Sequence, residues 1–102
     1  MPVAFNLEDD FRFKDSLDSL DRAVARNTIL TLLEIQEAEI SWAEFVDHYQ
    51  WRELPISGAD TYPGANQLCS FQIVVDETGT QVEIIGFSYE NLVVICSIAR
   101  IP

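Results

Sequence analysis

Hydrophobic spacing divides this chain into a helical first half and a strand-forming last third. Within residues 8–37, Phe13, Leu17, Leu20 and Val24 fall three and four apart, the period of one helix face. A shifted stripe follows, through Ala25, Ile29, Leu32, Leu33 and Gln36, and the change of face predicts two helices, with Asp18 or Asp21 placed to cap the second. Ser41 and Glu44 form an S-x-x-E capping box, and Ile40 and Phe45 occupy the flanking staple positions, so a short helix is expected from Trp42 to Tyr49. From Cys69 the period becomes two: Cys69, Phe71, Ile73 and Val75 alternate with Ser70 and Gln72.

Asp76 to Thr80, with Gly79 free to take a positive φ, reads as a hairpin turn into a return strand over Gln81–Tyr89. Glu90 and Asn91 make the next turn, and Leu92–Ile101 is a third strand, apolar on both faces and therefore central or covered. Residues 55–68, with Gly58, Pro63 and Gly64, carry turn chemistry. Val3 and Phe5 alternate, and a strand over Pro2–Asn6 would complete the sheet. The expected fold is α+β: one domain over residues 1–102, helical over 8–50, looped over 55–68 and a β-meander over 69–101. Its N-terminal helices would pack on one face of an antiparallel sheet of three to four strands.

Charge changes what such a fold is expected to do. Seventeen acids stand against six bases, a formal net charge of -11 on 102 residues. The excess is spread, with twelve acids and five bases in residues 1–53 and five acids and one base in 54–102. A chain 48% hydrophobic fills a core, so the acids form the surface of a folded body. Such a surface repels phosphate backbones and opposes compaction, which points to a positively charged protein partner. The bland alternative is that the charge only keeps a small protein soluble.

Catalytic signatures are sparse. His48 is the only histidine, which excludes a histidine-built zinc site; Glu44, four residues earlier, and Asp47 are its acidic neighbours and could tune it as a general base, against the reading of an ordinary surface histidine. No G-x-S-x-G elbow, P-loop or G-x-G-x-x-G occurs. The clusters Glu8, Asp9, Asp10 and Glu34, Glu37, Glu39 lack a calcium-loop rhythm and read as solvated helix faces. Cys69 and Cys96 sit in apolar runs and read as buried free thiols. With no signal peptide and no membrane-length apolar stretch, a cytoplasmic location is expected, and no cofactor, metal or catalytic residue is assigned.

The order strand, two helices, loop and three-stranded meander resembles the RelE/ParE toxin superfamily. Residues 13–26 look like that family's second-helix approach, and Ser70 to Asp76 followed by Val82 to Ile85 looks like its central hairpin. The resemblance implies a ribonuclease or gyrase poison with basic residues on the sheet. Here Gln72 stands where the strand arginine is expected, Glu83 lies in the hairpin, and Arg100 is the only base of the last strand.

Three functions follow as expectations. The first is a non-catalytic inhibitor of a basic partner: an immunity protein, an antitoxin or a nucleic-acid mimic that blocks a nuclease or a nucleic-acid-binding effector. Its contacts would be Asp18, Asp21, Glu34, Glu37, Glu44 and Asp47, with Trp42 or Trp51 as the anchor. The second is a RelE/ParE-like toxin or a decayed relative, which requires Arg100, His48 and Tyr89 or Tyr62 to meet near one sheet face. The third is a homo-oligomeric structural subunit, paired as a homodimer through the apolar strand Leu92–Ile98 if that strand forms an open edge.

Overall fold

A computed structural model describes residues 2–8, 10–54 and 67–102. The elements run β1 (Ala4–Asn6), α1 (Phe11–Asp18), α2 (Arg22–Glu37), α3 (Trp42–His48), β2 (Arg52–Leu54), β3 (Gln67–Val74), β4 (Gln81–Tyr89) and β5 (Leu92–Arg100). The strands form one sheet in the order β1-β5-β4-β3-β2. The α+β class is as expected, but the sheet has five strands and is mixed, because β1 pairs in parallel with β5 while every other pairing is antiparallel. Tyr62, Asp9 and the loop residues 55–66 lie outside the described residues.

Local chemistry sets the helix boundaries. Asp10, Asp21 and Ser41 are the three N-caps, their side chains accepting from the backbone N–H of Arg12, Ala23 and Glu44. Asp21, one of the two candidate caps, caps α2. Asp10 is not on a solvated face: its residue is 3% exposed, and it receives Arg12 in a bidentate ion pair at 2.7–3.2 Å. The buried stripe of α2 is Val24, Thr28, Leu32 and Ile35, rotated from the expected one, and it leaves Leu33 exposed. Thr28 enters the core at no polar cost because its hydroxyl donates to the Val24 carbonyl at 2.8 Å.

The core lies between the helices and one sheet face, where Cys69, Phe71, Ile73, Val82, Ile84, Val93, Ile95 and Ile98 meet Phe13, Leu32, Ile35 and Phe45. Ile95 and Ile98 both reach it because Cys96 is an extra residue at a bulge opposite Ile85 and Gly86, which resets the alternation. Phe87 and Val94, paired across β4 and β5, are buried as well, with the Arg12 guanidinium 5.9 Å from the Phe87 ring centroid.

Side chains and a helix end take up single backbone groups along the sheet edges. β5 is interior, flanked by β1 and β4, so it offers no open edge for pairing with a second copy over Leu92–Val94. Beyond β1, Ser16 Oγ donates to the Ile98 carbonyl and accepts from the Ile98 N–H, both at 2.7 Å. On the outer side of β1, Phe5 N–H donates to Gln36 Oε1 at 2.8 Å. At the opposite edge, Gln72 N–H donates to the Tyr49 carbonyl at 3.1 Å.

Two positions test this construction. A Cβ on Gly86 would lie 2.6 Å from the Val94 carbonyl oxygen and 2.9 Å from Val93 Cγ1, so Gly86→Ala forces β4 and β5 apart. The expected loss is about 1–3 kcal/mol in urea unfolding, as for other overpacked cores; an unchanged midpoint would contradict the register. In the β3–β4 turn, hydrogen bonds from Thr80 and Thr78 hold the Asp76 carboxyl at about 2, below its ordinary 3.8. Because the folded value is the lower one, this contribution to stability is complete above pH 4 and is lost as pH falls toward 2. Subtracting the urea midpoints of Asp76→Asn from those of the wild type between pH 5 and 2 should give a difference that shrinks on acidification.

Candidate partner-binding face

Phe45 positions α3. It is fully buried, and its ring centroid lies 4.9 Å from that of Phe71, 5.4 Å from Tyr49, 5.6 Å from Trp42, 5.7 Å from Phe5 and 5.8 Å from Trp51. Trp42 and Trp51 meet edge to face at 4.9 Å. Both tryptophans are half-buried against the core. They pack α3 onto the sheet and still present an edge to solvent.

That edge lines an open concavity of about 780 Å³, bounded by Trp42, Glu44, Val46, Asp47, Gln50 and Trp51. Four of the eight residues singled out in the sequence, Trp42, Glu44, Asp47 and Trp51, thus meet around one hollow, with Glu44 and Asp47 exposed. Its composition suits a cationic side chain, whose stem can lie on the rings while its head reaches a carboxylate.

Glu34 and Glu37 occupy the last turn of α2, directly before the turn into α3, and both are exposed. Asp18 and Asp21 do not join them. Asp18 ends α1, and Asp21, already engaged in capping, stands about 24 Å from Glu37 along α2 at 1.5 Å per residue. Of the eight residues, Trp42, Glu44, Asp47 and Trp51 therefore share one hollow, Glu34 lines a separate one with Leu30 and Val74, Glu37 lies in the same last turn of α2, and Asp18 and Asp21 stand apart.

From Asn27 to Trp51 the chain holds five acids, Glu34, Glu37, Glu39, Glu44 and Asp47, and no lysine or arginine. All five are exposed, and the ion pairs among the described residues, Arg12 with Asp10 and Arg52 with Glu83, do not involve them. The placement of Glu34 and Glu37 opposes the dipole of α2, whereas Glu44, in the first turn of α3, suits the dipole of its own helix. The last turn of α2 carries acids and no base, while Arg22 and Arg26 lie toward its N-terminus. Carboxylates beside unpaired C-terminal carbonyls destabilise a helix, by about 0.3–1 kcal/mol each.

His48 shares a concavity of about 310 Å³ with Ile40, Glu44, Asp47 and Tyr49. Burial raises the Tyr49 hydroxyl above its ordinary value. Arg100 pairs with Val82 and Tyr89 with Leu92, which puts Arg100 and Tyr89 at opposite ends of the β4–β5 hairpin, about 23 Å apart at 3.3 Å per residue. The structure does not bring these two together, and Tyr62 lies outside the described residues. Cys69 and Cys96 are buried and are not joined in a disulfide. Burial pushes the Cys69 thiol up to about 12, which leaves it unreactive at neutral pH. Among the described residues no group of three or more His, Cys, Asp or Glu side chains is arranged to hold a metal ion, and no helix is long and apolar enough to cross a membrane.

Two exposed apolar side chains are not singled out by the spacing along the sequence. Leu30 and Val74 are exposed, and together they wall a further concavity with Glu34, Asp76 and Glu77. Leu30 fell outside the expected core stripe, which was a usable signal. Val74 sits in a strand-forming run, past the point where β2 begins opposite Ser70.

Compared with protein-family models, curated proteins and solved structures, the chain matches none at a significant level.

Glu34→Lys and Glu37→Lys should each raise stability by about 0.3–1 kcal/mol in low-salt urea unfolding, with the gain shrinking in 0.5 M salt. A loss of stability in both would show that these carboxylates have structural partners.

Proposed function

We propose that this chain is a non-catalytic binding protein whose acidic face, formed by the end of α2 and by α3, engages a basic protein partner and blocks it. The observation that carries this reading is the run of five exposed acids without a base, beside a tryptophan-lined hollow. A surface selected for folding alone would place cations at the end of α2. Cations there would also reduce the self-repulsion of a body at -11.

Lysine or arginine side chains of the partner fit the site in two ways. At the rim, carboxylates steer a cationic surface during approach and pair with it on docking. In the hollow, Trp42 and Trp51 supply rigid rings that lose little entropy when covered. A nuclease or another nucleic-acid-binding effector is the class of partner this chemistry favours, because its phosphate-binding cations are the groups the acids would occupy. An immunity protein, an antitoxin and a nucleic-acid mimic share that mechanism. Two buried cysteines that form no disulfide with each other fit a reducing compartment such as the cytoplasm.

Affinity capture from the source cell, wild type beside Glu44→Lys/Asp47→Lys, tests the assignment. At 50 mM salt the wild type should retain a basic protein that the double variant loses by about tenfold or more, because two rim pairs become two repulsions. Retention of the same protein by both, or of an acidic one, would overturn the reading.

A further inference from the structure

Three large apolar side chains stand exposed among the described residues: Leu30 at 45%, Leu33 at 42% and Val74 at 52%. Leu30 and Leu33 are neighbours on one face of α2. Leu30 and Val74 share a concavity of about 490 Å³ between α2 and the β3–β4 turn, rimmed by Glu34, Asp76 and Glu77 and holding no cation. Thr31 and Val74 also belong to an adjoining hollow of about 310 Å³ with uncharged amide walls, Gln50, Gln72 and Gln81, beside His48. Gln50 in turn belongs to the tryptophan-lined concavity of α3. Three hollows thus adjoin, the first two through Thr31 and Val74 and the last two through Gln50, just past the end of α3.

The sheet explains why this side is open. β2 pairs with β3 only from Leu68 to Ser70, while β3 runs on to Val74. Past that pairing the Tyr49 carbonyl takes the Gln72 N–H, and no described strand pairs with Val74 on that side.

We propose that these adjoining hollows form one docking channel for an extended segment of the basic partner. An apolar side chain next to Lys or Arg enters the Leu30–Val74 hollow, an uncharged stretch crosses the glutamines, and a second apolar and basic pair reaches Trp42 and Trp51. The inference rests on the partner reading above and adds the form in which the partner is held. Charge complementarity selects the occupant. The acids lie at the two ends, Glu34, Asp76 and Glu77 at one and Glu44 and Asp47 at the other, with neutral amides between. A second copy of this chain would set carboxylates against carboxylates. The longest dimension of the molecule, 36 Å, limits the bound stretch to about ten residues at about 3.3 Å each.

Synthetic peptides test it on the intact chain. The probe is a ten-residue peptide with a Leu-Arg-Arg cluster at each end and a Gly-Ser spacer, compared with the same peptide carrying one cluster and with a Ser-for-Arg control. Binding is read by NMR at the Leu30 and Val74 methyls and the Trp42 and Trp51 indole N–H. Both ends should shift together, and the two-cluster peptide should bind about tenfold or more tighter than the one-cluster peptide. Leu30→Gln/Val74→Thr should erase that advantage and leave one-cluster binding at the indoles intact. Shifts confined to the indoles, with equal affinities for both peptides, would overturn the channel and leave the partner reading standing. Equal binding of the Ser-for-Arg control would remove the charge argument for both. An absence of shifts at either end at millimolar peptide would also overturn both.

Discussion

The burial of Phe45 among five other aromatic rings is the interaction on which the rest of this structure depends. The helix that carries it is only seven residues long, too short to persist in water without tertiary contacts. Phe45 fixes it by reaching Phe5 of β1 and Phe71 of β3 at once, and the two tryptophans close over the same ring. Because α3 is held from below, its opposite side can carry Glu44 and Asp47 without contributing to packing. The proposed binding face therefore stands on an apolar support.

Charge is the opposing constraint. A folded body at -11 repels itself, and the helices of this chain do little to relieve it. α1 begins with Arg12 and Lys14 and ends with Asp15 and Asp18; α2 repeats the arrangement with Arg22 and Arg26 before Glu34 and Glu37. In both helices the charges oppose the dipole, and the carboxylates at the end of α2 are the ones beside α3. The end of α2 would be more stable with cations in place of Glu34 and Glu37, which is the pattern expected when surface charge serves recognition.

Much of the fold was legible where one residue type has one dominant use. Ser41 with Glu44, Asp21 before α2, and Asp76 with Gly79 each satisfy specific backbone groups, and each marks its boundary in the sequence. Gly79 takes φ +86. The two-residue alternation from Cys69 gave the hairpin of β3 and β4. Other features depend on tertiary partners. β2 is three residues long and has no periodicity to detect. The parallel pairing of β1 relies on links such as Ala4 N–H donating to the Asn91 carbonyl at 2.9 Å, across most of the chain. Asp10 reads as one acid in an acidic run until Arg12 is folded back onto it. Leu33 shares the helical spacing of its buried neighbours, and only the rotation of α2 against the sheet leaves it outside. Of the candidate contacts, spacing alone placed Glu44 and Asp47 on α3; that Trp42 and Trp51 converge on the same hollow depends on the path of the chain after Tyr49.

On the reading proposed above, the acids on α2 and α3 serve association with a cationic protein. The most direct measurement is the association rate constant of the captured partner as a function of ionic strength, by stopped-flow tryptophan fluorescence from 20 to 500 mM salt. The account predicts a rate that falls by about tenfold or more across that range, with a smaller change in dissociation. A rate constant that does not respond to salt would contradict it.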